Sequence, residues 1–199
     1  MKTLALYGLL LLVAVGVLMT APKRVEVPPT PADSVVMIYD KLGHGSGVIV
    51  DVNCVLTAAH VADHNDVVIQ TADGDVYGVD HVVSDPDSDL ALLYIDGEFD
   101  ETPLLFDPTP LEVGDEITLI GTPWDRELMN CVLPGFVVKV DLDTELEDSL
   151  YVDLDVIDCA GAPGCSGGPL VDKYGHIRGI VIGGYPQLPL AIPVSELDL

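Results

Sequence analysis

Apolar and polar positions along this chain follow one another in short bursts. Val35-Val36-Met37-Ile38-Tyr39, Val48-Ile49-Val50, Cys54-Val55-Leu56-Thr57 and Leu90-Ala91-Leu92-Leu93-Tyr94-Ile95 are brief apolar runs, each bounded by Gly, Pro, Asn or Asp. The second half repeats the pattern at 117–120, 132–140, 150–157 and 177–182. Runs this short, rich in β-branched residues and punctuated by turn formers, predict many strands rather than long helices. The fold class is therefore all-β. Asp51-Val52-Asn53 reads as the turn of a hairpin, and the acidic stretch 141–148 as the turn between two later strands. Residues 98–110, acidic and rich in proline, read as the connection between two halves.

The N-terminus breaks this rhythm. Residues 4–19 are an apolar run behind Lys2 without a charge. They are long for a signal-peptide core and short for a full span, so 1–21 reads as a signal peptide or a membrane anchor. Residues 22–33 hold Pro28, Pro29 and Pro31 and read as an extended linker. The globular pattern starts at Ser34. The body of the protein is thus expected outside the cytoplasm, secreted or periplasmic, or tethered to a membrane if the segment stays uncleaved.

The chain has 199 residues, with 33 acids against 8 bases and a formal charge of −25. Such a surface repels a phosphate backbone, which excludes nucleic acid as a partner. The acids are scattered, a solvated surface and not an acidic tail. Four cysteines, Cys54, Cys131, Cys159 and Cys165, allow several pairings between which spacing does not choose.

Candidate chemistry centres on Gly164-Cys165-Ser166-Gly167-Gly168-Pro169. The glycines permit a tight turn that a Cβ would obstruct. That turn can aim the N–H groups of Gly164 and Ser166 at one point, as an oxyanion hole requires. A serine hydroxyl needs a base, and the base needs an orienting group. His60 follows Ala58-Ala59, where small side chains let a short helical turn approach closely. His64 lies four residues on, but a zinc pair would need Glu where Val61 stands, so no metal is implied. Among the acids, Asp85 and Asp87 sit in a turn sequence, whereas Asp89 opens an apolar strand that carries it inward. A carboxylate buried there needs a partner.

Gly45-Ser46-Gly47-Val48, Leu56-Thr57-Ala58-Ala59-His60-Val61, Ser88-Asp89-Leu90-Ala91-Leu92-Leu93 and the Ser166 stretch occur in this order. Taken together, from Ser34 to Val194, the chain resembles the trypsin-like (chymotrypsin-fold) serine proteases and within them the HtrA/Deg branch. Gly121-Thr122-Pro123 and Ala191-Ile192-Pro193 add to that likeness. The resemblance implies two antiparallel six-stranded β-barrels, 34–107 and 108–199, with the site in the groove between them. It implies an endopeptidase in which Ser166 attacks, His60 carries the proton and Asp89 holds the imidazole. The partner is then a peptide or protein substrate, and no cofactor is called for. Ending at Leu199, the chain leaves no room for the PDZ domain common in that branch. Cys165 stands where trypsin-type enzymes carry Asp and the HtrA type Asn, so zymogen activation by an ion pair is not expected. The alternative on the same fold is a catalytically inactive, membrane-tethered peptide-binding module.

The likeness also suggests a binding pocket walled by Ala160 and by Ile182-Gly183-Gly184. With Ala160 in place of an acid, an apolar floor would favour small or medium aliphatic side chains before the cut. Asp158, two residues earlier, would point to the same face but about 7 Å away.

Overall fold

The computed structural model describes residues 30–63, 66–146, 149–185 and 187–196. The apolar segment 1–21, residues 22–29 of the linker stretch, and His64 lie outside them. Among the described residues no helix is long and apolar enough to cross a membrane.

Among the described residues twelve strands form two closed antiparallel barrels of six. The first is built from β1 (Val35–Tyr39), β2 (His44–Asp51), β3 (Cys54–Ala58), β4 (Val68–Gln70), β5 (Val76–Asp85) and β6 (Leu90–Ile95), in the spatial order β1-β2-β3-β6-β5-β4. The second holds β7 (Glu116–Gly121), β8 (Cys131–Leu146), β9 (Ser149–Asp158), β10 (Pro169–Val171), β11 (Ile177–Tyr185) and β12 (Leu188–Pro193), ordered β10-β11-β12-β9-β8-β7. Closure leaves neither sheet with a free edge.

The continuous apolar runs have a simple cause. Alternate residues of one strand face opposite sides of the sheet, and here both sides are covered. Val36, Ile38, Ile49, Val55, Ile69 and Leu93 fill the first barrel. Their neighbours Val48, Leu56, Ala58 and Leu90 point outward, against Leu154, Ile180, Ile182 and Leu190 of the second barrel. Leu119, Ile157, Leu170 and Val181 fill the second barrel. The middle cluster joins the barrels through a shared core, and the site lies along that seam.

Two expectations change. Within the stretch 141–148, residues 141–146 do not form a turn: β8 continues to Leu146 and β9 begins at Ser149, paired through Leu142–Leu154 and Thr144–Tyr151, and residues 147 and 148 lie outside the described ones. Shifts of register absorb the irregularity, with Asp141 at φ +53° and Asp153 at +55°. Aspartate tolerates the left-handed region better than most residues. The short β4 and the long β5 also had no counterpart in the apolar pattern. β5 is largely exposed and mixes Val with polar residues, so its periodicity is weak.

Candidate active site

Strand pairing brings His60 and Asp89 together. β3 pairs with β6 so that Ala58 lies opposite Leu90, and the Ala59 N–H donates to the Asp89 carbonyl at 2.9 Å. The next four residues, Ala59–Ala62, make one helical turn, α1. Ala59 and Ala62 are buried beneath it, which leaves the His60 ring about half exposed, at 48%. Asp89, only 8% exposed, sits at φ +51° just before β6. Its two oxygens have separate tasks. One accepts the backbone N–H of His60 at 2.9 Å and the other accepts from His60 Nδ1 at 2.7 Å. A carboxylate can only accept, so the ring proton resides on Nδ1 and Nε2 is left as a base. Asp85 and Asp87 stay exposed. The Asp85 carboxylate accepts from the Ser88 hydroxyl and the Asp87 N–H, and those bonds, the hydroxyl's first, hold its carboxyl below the usual range.

The Ser166 loop is fastened at nearly every peptide. Cys165 N–H closes a turn onto Ala162 C=O at 3.0 Å, with Gly164 at φ +96°. A positive φ at the third residue marks this as a type II turn. The Cys165 carbonyl accepts from Gly168 at 2.9 Å, and Gly167 donates to Val181 at 2.6 Å. Ser46, fully buried on β2 of the other barrel, ties the loop across the seam. Its N–H donates to Ser166 C=O at 2.8 Å and its hydroxyl donates to Gly164 C=O at 2.8 Å. The same hydroxyl accepts from Thr122 N–H at 2.9 Å, and the Ser46 carbonyl accepts the Thr57 hydroxyl at 2.7 Å. Among the described residues the N–H groups of Gly164 and Ser166 donate to no protein acceptor.

Cys165 is 1% exposed and unbonded to another cysteine. Burial above all, and then the nearby Cys131, push its thiol up. Burial likewise pushes Cys159 up to about 11. Thiols so placed are packing groups and not nucleophiles.

His60, Asp89 and Ser166 open onto one cleft of about 410 Å³. Val181, Ile182, Gly183 and Gly184 line it together with Gly161, Ala162 and Pro189, as do Trp124, Tyr151 and Tyr185. The structure therefore brings Ile182, Gly183 and Gly184 to Ser166 but not Ala160. Ala160 and Asp158 line a separate depression with Phe136 and Gln187. The chain turns after Cys159, so that Gly161 is the residue facing the cleft. A Cβ on Gly161 would come within 2.2 Å of the Pro189 ring, so that ring fills the space and closes the wall. Among the described residues Asp89, already held by His60, is the only carboxylate lining the cleft.

Ser46, Thr122, Trp124 and Pro189 are site residues that sequence reasoning left without a role. The signal for Ser46 was its flanking glycines, which mark close approach of other backbone. Elsewhere Asp107, Asp172 and His176 place ligand-type atoms within 4.8 Å of one another. Arg178 supplies positive charge there, 3.8 Å from Asp172, and none of the three lines the cleft.

Residues 45–180 match the family model described as trypsin-like peptidase domain. A probable periplasmic serine endoprotease, DegP-like, of Pseudomonas putida is 34% identical over 159 residues, 76% of this chain and 32% of the relative. The chain thus spans about a third of the length of such relatives. Among solved structures, the active form of the Rv3671c protease from M. tuberculosis is 25% identical with a TM-score of 0.73, over 83% of this chain and 78% of that one. The HtrA-type protease AlgW, solved with a tripeptide, is 26% identical with a TM-score of 0.73, over 84% and 64%.

Proposed function

Because the chain belongs to the trypsin-like peptidase family, on its HtrA branch, we propose that it is a serine endopeptidase whose chemistry runs through His60, Asp89 and Ser166. The observation that carries this reading is the His60–Asp89 pair at 2.7 Å, opening with Ser166 onto one cleft. Ser166 Oγ attacks the substrate carbonyl while His60 Nε2 takes its proton. Asp89 keeps the other ring proton on Nδ1 and stabilises the imidazolium that forms. His60 then returns the proton to the leaving amine, and water repeats the sequence on the acyl-enzyme. The N–H groups of Gly164 and Ser166 receive the developing oxyanion. Each such donor is worth ~3 kcal/mol at the transition state in comparable sites.

The cleft wall of Val181, Ile182, Ala162 and Pro189 suits small or medium aliphatic side chains before the cut. A lysine or arginine there would lose its water without gaining a free carboxylate. Relatives described as periplasmic, together with the apolar segment 1–21, support a place of action outside the cytoplasm.

A fluorophosphonate probe should label the wild-type protein at Ser166, and a peptide library should be cut after Val, Ala or Leu. Ser166→Ala should lose the label and lower kcat by at least three orders of magnitude, roughly, with the fold unchanged. Turnover of the Ser166→Ala protein near the original rate would end the assignment.

A further inference from the structure

Trp124 has a backbone that its side chain does not favour. It sits at φ +61°, and the N–H of Asp125 bonds back to Pro123 C=O at 2.7 Å around it. That is a γ-turn of the positive-φ kind, the rarer and more strained form. Such strain persists only where the surroundings over-determine it, and it clusters at functional sites. Both flanks here are pinned. On one side the Thr122 N–H donates to Ser46 Oγ, and Thr122 C=O meets His44 Nε2 at 3.0 Å. On the other side the Arg126 guanidinium donates to the carbonyls of Asp40 and Gly43 at 2.6 and 2.7 Å and lies over the Tyr39 ring.

The strained turn has one evident product. It aims the Trp124 N–H at Pro163 C=O, 2.7 Å away. A trans peptide points its C=O and N–H in opposite directions, so whatever holds the Pro163 carbonyl also orients the Gly164 N–H. We propose that Trp124 is a positioning residue: its γ-turn latches the Pro163–Gly164 peptide and so aims the Gly164 donor at the reacting carbonyl. This rests on the proteolytic reading for its use, but not for its geometry. The part required of residue 124 is a backbone able to hold positive φ, and the indole is secondary.

The test compares Trp124→Asn with Trp124→Val, two side chains of similar size that both lack the ring. Asparagine enters the left-handed region readily, whereas a β-branched residue is an outlier there. The Val variant should show kcat at least roughly tenfold below the Asn variant, toward the 10²- to 10³-fold that loss of an oxyanion donor brings. KM should agree between them within about threefold, since an interaction made only in the transition state is what differs. Trp124→Gly should group with Asn, and circular dichroism checks that all three fold. Equal kcat for Asn and Val, whether both high or both low, would overturn the proposal.

The amide resonance of Gly164 gives a second reading that needs no turnover. It should shift in the Val variant relative to the Asn variant, and an unmoved resonance would overturn the latch. If the wild type neither cleaves peptides nor takes the fluorophosphonate while that resonance shifts in Val alone, proteolysis falls and the latch stands.

Discussion

Around Ser166 single residues carry several hydrogen bonds at once. Ser46 makes four, which is why a side chain of one hydroxyl can span both barrels. The same crowding acts on the cysteines. Cys159 is buried beside Cys165, and its thiol moves from an ordinary 9.0 up to about 11 because burial disfavours the thiolate. An acid whose folded pKa is raised stabilises the fold fully below its unfolded value, and that contribution is lost as pH climbs toward the folded one. Stability should therefore fall from pH 9 towards 11 more steeply in the wild type than in Cys159→Ala. Urea midpoints measured for both proteins across that range would check this, and parallel curves would rule it out.

At the scale of elements, the strands covered on both faces follow directly from the sequence, because each writes itself as an unbroken apolar run, whereas the exposed β5 does not. The long β8–β9 hairpin was harder to read, since exposed acids such as Asp143 and Glu145 mimic a turn while pairing continues beneath them. Around Ser166 the division is similar. His60, Asp89 and Ser166 stand out in the sequence because each carries its reason beside it: two alanines, an apolar strand, a set of glycines. Ala160 rests on the family likeness alone, which cannot tell which way the chain faces after Cys159. The positions of Pro189 and Trp124 depend on contacts between remote segments. Gly167 shows how closely the elements meet. At φ +82°, its Cβ would lie 2.1 Å from both the Ser46 carbonyl and Thr57 Oγ1. Gly167→Ala should destabilise the protein by about 3 kcal/mol, combining backbone strain with the loss of the Thr57–Ser46 bond. Gly78→Ala, where a Cβ meets nothing within 4 Å, should stay within about 0.5 kcal/mol of the wild type. Chemical denaturation of both proteins gives the comparison.

At the scale of the whole molecule, the two barrels pack around a shared core, and the cluster that joins them is as well buried as the cluster inside either. The net charge of −25 surrounds the two barrels with a field that attracts basic segments of a passing chain and weakens in salt. The bond from Ser46 to Gly164 reaches from β2 into the loop before β10, and so gives the molecule a form of self-restraint. A chain still emerging, with its first barrel complete and its second unformed, has His60 and Asp89 but no assembled loop for Ser166. A chain with both barrels formed but undocked has the loop without its anchor. On the proposed reading, cutting power should arrive last, after docking, so that a half-made copy is harmless to its neighbours. We predict that on refolding from urea, peptide cleavage returns only with the slowest phase seen by Trp124 fluorescence. Cleavage that returns ahead of that phase would show that this late safeguard does not exist.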